Sequence, residues 1–170
     1  MNLVINDAVS FAIEAHKGQV RKFDNTPYIR HPLSVMGMMT EFTDDPAVLA
    51  ACVLHDTVED CQDVTLEVIH ERFGELVAGY VFYATEKSNK LDGIRKIRKA
   101  IDRFHYSCGT SVSQDIKVLD MIDNVPSMFH VNKEFALRYV EEKISLLNVL
   151  NKCNPILKTR IFNIIEKLVR

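Results

Sequence analysis

His31, His55, Asp56 and Asp120 are the side chains of this chain whose types and settings offer chemistry. Two imidazoles and two carboxylates form a mixed nitrogen and oxygen donor set, which suits Mn²⁺, Fe²⁺ or Zn²⁺ better than a thiolate site does. His55 and Asp56 close the run AVLAACVL, which is wholly apolar. Polar groups leaving an apolar helix need partners, because burying one without a partner costs roughly a few kcal/mol. A metal ion satisfies both; so does a bond between the two and to the backbone. The next turn adds acids. Glu59 stands four residues after His55, and Asp60 four after Asp56, each pair on one helical face. The carboxylates of HDTVED repel one another unless a cation or protons intervene. Asp120 follows the apolar Val118-Leu119, and Asn124 shares its side of a helix; Asp123 is expected in solvent.

The elements that must position these residues are helical nearly throughout. Val4, Ile5, Ala8, Phe11, Ala12 and Ala15 form a stripe over residues 4–17. GQVRKFDNTPYIRHP breaks it, with Gly18, Asp24-Asn25 and Pro27 as turn formers. Pro32 suits a first helical position, with Leu33, Val35, Met36 and Met39 on one side. Met36, Met38 and Met39 read as packing residues. Asp44-Asp45-Pro46 reads as a cap for a helix apolar on every face, hence a central one, running into HDTVED. Thr65 caps LEVIHERFG, which Gly74 closes or bends, and residues 75–84 continue as helix until the Thr85–Asn89 stretch ends it.

Lys87, Lys90, Arg95, Lys96, Arg98, Lys99 and Arg103 make a basic run, expected as a solvated helix face. Residues 106–113 read as a loop and 114–125 as a helix that Pro126 ends or kinks. Amphipathic stripes over 133–152 and 155–169 fit either closure of the domain or a homodimer seam. His16 reads as structural, His70, His105 and His130 as surface or core residues, and Tyr28 as packed beneath its loop with the hydroxyl bonded. The fold class expected is all-α, a single domain.

Composition narrows the functions. The 170 residues are 47% hydrophobic and 26% charged, with net charge −2, so there is no bulk attraction for nucleic acid or an anionic membrane. A small phosphorylated ligand needs only a local basic patch. No window approaches the length of apolar run that spans a bilayer. The N-terminal stretch has acids and no cleavable signal pattern, and Cys52, Cys61, Cys108 and Cys153 lack CxxC spacing, so reduced thiols and a cytoplasmic location are expected.

The runs AHKGQVRKFDNTPYIRHPLSV and VLAACVLHDTVEDC resemble the hydrolase domain of RelA/SpoT proteins, and within that group the small stand-alone hydrolases. The likeness spans roughly residues 5–130. It implies an HD-superfamily helical bundle, with 1–130 as the hydrolase domain and 131–170 as helices closing the same domain. It implies removal of the 3′-pyrophosphate from (p)ppGpp with one Mn²⁺ per chain. The family's metal ligands fall on His31, His55, Asp56 and Asp120, and its catalytic pair on Glu59 and Asp60. Its nucleotide contacts fall on Arg21, Lys22 and Asn124, and a phosphate-approaching lysine on Lys87. The partner implied is a small nucleotide. Met121 stands where the family has a basic residue, and Asp123 and Pro126 are further departures, so the base is open: a (p)ppApp hydrolase or an NADPH 2′-phosphatase would use the same metal chemistry. A nucleotide-binding protein without turnover is a third reading, opposed by the complete ligand set and Glu59-Asp60. No synthetase domain fits the remaining length.

Overall fold

The computed structural model describes residues 3–22, 24–129 and 133–170, and the chain divides into two compact units, Met1–Thr85 and Glu86–Arg170. His130 lies outside the described residues. The described residues are helical apart from turns and an isolated antiparallel bridge, Val20 to Pro27. None of the helices is long and apolar enough to cross a membrane.

The first unit holds α1 (Leu3–Ala15), α2 (Arg30–Met39), α3 (Pro46–Leu54), α4 (Thr57–Asp60), α5 (Leu66–Phe73) and α6 (Glu75–Ala84). α3 starts cleanly because Asp45 Oδ1 accepts the Ala47 N–H at 2.8 Å and Pro46 occupies the first turn. All its residues from Val48 to Leu54 are buried, and α1, α2 and α6 pack around it. Ala8 and Ala12, fully buried on α1, let that helix approach closely. Arg72 of α5 grips Asp7 of α1 through two hydrogen bonds, 2.9 and 2.6 Å, and lies over the Phe11 ring. Gly74, at φ 88°, makes the corner between α5 and α6, a conformation that side chains with a Cβ rarely adopt.

Two local expectations for this unit need correction. α2 begins at Arg30, so Pro32 lies inside the first turn, where its missing N–H costs nothing. HDTVED is not one continuous helix: α3 stops at Leu54, and α4 is a separate turn from Thr57. Thr57 Oγ1 donates to the Leu54 carbonyl and so closes the end of α3.

The second unit holds a 3₁₀ turn at Lys90–Asp92, then α7 (Arg95–Cys108), α8 (Ser111–Phe129), α9 (Lys133–Leu147) and α10 (Pro155–Val169). α8 is the central helix, against which α7, α9 and α10 pack. The loop expected over 106–113 shrinks to Gly109 and Thr110, because Gln114 Nε2 donates to the Tyr106 and Ser107 carbonyls at the end of α7. α8 continues through Pro126. α9 stops at Leu147, short of 152, because the loop after it finds distant partners: Lys152 N donates to Gln114 Oε1 and Asn154 N to Asp115 Oδ1. The basic run on α7 is partly neutralised, by Glu142 bound to Arg95 and by Glu86 bound to Lys99.

Candidate metal centre

The end of α3 and the start of α2 deliver the two imidazoles. His31 is the second residue of α2 and is 1% exposed; His55 follows the last residue of α3 and is fully buried. Asp56, buried, enters from the break between α3 and α4. One donor atom from each of the three lies within 4.8 Å of the others. His55 Nδ1 contacts the Cys52 carbonyl at 2.8 Å. A carbonyl only accepts, so this contact places a proton on Nδ1 and leaves Nε2 as a lone pair in the neutral ring. That Nε2 lies 3.1 Å from Asp56 Oδ1, and His31 Nε2 lies 3.3 Å from Asp56 Oδ2. Two imidazole nitrogens and a carboxylate thus converge in a buried place, a donor set that suits a divalent cation. His31, His55 and Asp56 fit such an ion by donor chemistry and spacing, with the backbone bond on His55 fixing its tautomer in the way metal-ligating histidines use.

Around the cluster, the loop between α1 and α2 is folded back on itself. Arg21 N–H donates to the Thr26 carbonyl and Tyr28 N–H to the Gln19 carbonyl. Tyr28 donates its hydroxyl to Asp56 Oδ2 at 2.7 Å. Burial and the neighbouring Asp56 and Asp60 charges hold the phenol far above its usual ionisation, so it serves as a neutral donor. Glu59 and Asp60 sit at exposed positions of α4. Partial burial and the Asp56 charge push the Asp60 carboxyl up, against the pull of Tyr28, His16 and His55. Arg21 is buried in the loop and Lys22 is exposed beside it.

The remaining expected site residues lie on the second unit. Asp120, on α8, receives the Asn124 amide at 2.6 Å on Oδ1 and the Lys117 ammonium at 3.1 Å on Oδ2. Asn124, expected at the nucleotide, therefore bonds the carboxylate four residues before it. Asp123, expected in solvent, is half-buried, because α8 is enclosed on most sides. Lys87 is exposed, and its backbone N–H donates to Asp102 Oδ1.

Tyr28 packs beneath its loop with the hydroxyl bonded, as expected. Three residues escaped the sequence reading. Gln19 carries no distinguishing pattern; only the loop's closure reveals it. Lys117 was legible as a basic residue three before Asp120. Asp102 is the buried acid of a basic helix and accepts from Lys87 N, Ser88 N and Ser88 Oγ.

Comparison with known proteins follows the same lines. A protein of Aquifex aeolicus (strain VF5) named guanosine-3′,5′-bis(diphosphate) 3′-pyrophosphohydrolase is 33% identical over 153 residues, which cover 84% of this chain and 20% of that one. A GTP pyrophosphokinase of Myxococcus xanthus is 30% identical over 150 residues, 84% of this chain and 19% of that one. The chain thus spans about a fifth of the length of these curated relatives. A solved structure described as a metazoan ortholog of SpoT that hydrolyzes ppGpp matches with a TM-score of 0.86 at 23% identity, covering 98% of this chain and 96% of that one, and so shares its fold. The HD domain family matches residues 8–121, and with the histidine and aspartate pair of that family set in a buried cluster, the chain belongs to the HD domain family.

Proposed function

We propose that this protein is a metal-dependent hydrolase that removes the 3′-pyrophosphate from (p)ppGpp. The observation that carries the reading is the Asp56 carboxylate turned between the two imidazole nitrogens, 3.1 and 3.3 Å away. One Mn²⁺ per chain would be held by His31, His55, Asp56 and Asp120. When bound, such an ion lowers the pKa of water and offsets negative charge developing on phosphorus. The substrate class is supported by the name of the Aquifex relative and by the motif runs around His31 and His55.

The chain's own residues do the rest. Glu59 and Asp60 orient the attacking water or take its proton. A new bond forms between the water oxygen and phosphorus, the bond from phosphorus to the 3′ oxygen breaks, and that oxygen leaves with a proton. Arg21 would turn its flat guanidinium out of the loop that buries it to stack on the base, Lys22 and Lys87 would offer point charges for the phosphates, and Asn124 would hold the nucleotide while it steadies Asp120. Four free thiols fit a reducing, cytoplasmic setting.

The test is product release from ppGpp, ppApp and NADPH with Mn²⁺. Pyrophosphate from ppGpp is the expected result; phosphate from NADPH alone overturns the reading. His55→Ala loses metal and turnover together. Glu59→Gln keeps the metal and lowers turnover by about 10²- to 10⁴-fold, the usual worth of a proton-transfer group.

A further inference from the structure

Asp56 supplies the carboxylate of the His31, His55 and Asp56 cluster. It stands at a helix break, with φ −97° and ψ −7°, and its side chain caps nothing. Yet its two oxygens face three groups at once: His55 Nε2 at 3.1 Å, His31 Nε2 at 3.3 Å and the Tyr28 hydroxyl at 2.7 Å. Of these, the Tyr28 hydroxyl is the neutral donor, giving its proton to Asp56 Oδ2. A carboxylate accepts and never donates, so a phenol is what can fix its rotation without competing for the cation.

The phenol is itself held. Its ring lies against His16, 4.9 Å between centroids, and meets His31 edge-on at 5.8 Å. His16, 2% exposed, bonds through Nδ1 to Gln19 Oε1 at 2.8 Å. The other end of that amide, Gln19 Nε2, donates to the Asp60 carbonyl at 2.9 Å, where α4 ends. Gln19 also accepts the Tyr28 N–H on its backbone carbonyl. One glutamine therefore ties the loop that carries Tyr28 to the helix that carries Glu59 and Asp60.

We propose that Tyr28 is a positioning residue that sets the Asp56 carboxylate between the His31 and His55 imidazoles, with His16 and Gln19 holding the phenol and α4 in register. The proposal rests on the metal-centre reading above and deepens it. Tyr28 touches neither the ion nor the phosphorus in this role; it acts through Asp56.

The experiment uses Tyr28→Phe in the full chain, which keeps the ring and its packing and removes one oxygen. Mn²⁺ affinity is measured by calorimetric titration, the bound ion by its electron paramagnetic resonance spectrum, and kcat and KM at saturating Mn²⁺. Affinity is expected to fall about 10- to 100-fold, the range for partners that orient metal ligands. The spectrum of the bound ion changes, kcat falls and KM for the nucleotide stays near that of the parent protein, while the metal-free melting temperature is nearly unchanged. Unchanged affinity and an unchanged spectrum in Tyr28→Phe overturn the positioning role and leave the hydrolase reading standing. A parent protein that takes up no Mn²⁺ overturns both. Should Tyr28→Phe fail to fold, Gln19→Met carries the test: a several-fold loss of affinity in the same direction is expected, and none overturns the brace.

Discussion

Asp120 illustrates how a single carboxylate can be committed before any ion arrives. Lys117 balances its charge, with both side chains buried, and Asn124 occupies one lone pair. Breaking a buried ion pair from one side is expensive, because the remaining charge stays desolvated. Lys117→Met should therefore lower the stability of the metal-free protein by about 3–5 kcal/mol. If Asp120 is a ligand, Mn²⁺ replaces the missing positive charge, and the loss shrinks when the ion is present. Denaturant melts of parent and variant, with and without Mn²⁺, read this directly; a loss of equal size in both conditions speaks against Asp120 as a ligand. The same reasoning explains why the residues of this site differ in legibility. His55 and Asp56 announce themselves by interrupting an apolar run, whereas Gln19 is one polar loop residue among many until its amide reaches the Asp60 carbonyl.

Elements follow the sequence wherever one local term dominates. α3 is apolar on every face and capped by Asp45, so burial and capping agree. Disagreement appears where distant partners outweigh local rules. Pro126 breaks helices by removing one hydrogen bond and crowding the preceding turn. Here Ile122 and Val125 are buried beside it, and that burial carries α8 on to Phe129. Gln114 likewise turns an expected loop into a tight corner by serving carbonyls of α7 and the Lys152 N–H together. Asp115, one residue on, accepts the Asn154 N–H at 2.6 Å, but burial pushes its carboxyl above the ordinary range. A carboxyl raised on folding holds its proton to higher pH than in the unfolded chain, so its contribution falls as pH rises from about 4 through the folded value. Asp115→Asn keeps an acceptor for Asn154 and removes that cost. The variant should melt higher than the parent at pH 7, with the gap closing toward pH 4; a constant gap across that range contradicts the assignment.

At the scale of the whole molecule, the net charge of −2 leaves little long-range field, so the proposed reading needs local positive charge at the site to meet a phosphorylated substrate. The protein divides into two compact units, and the buried His31, His55 and Asp56 cluster belongs to the first. A ligand that binds only the folded state stabilises it by mass action, about 2.7 kcal/mol at a hundredfold excess over Kd. For a chain of this size each kcal/mol moves the melting temperature by about 2–4 °C, so saturating Mn²⁺ should raise it by roughly 5–10 °C. Chelation should reverse the rise, and His55→Ala should abolish it. Asp120→Ala leaves the three donors of the first unit in place, so it should retain a smaller rise. Scanning calorimetry of the three proteins, each with Mn²⁺ and with chelator, separates these outcomes. Equal rises in all three would mean that the ion stabilises the fold somewhere other than this cluster.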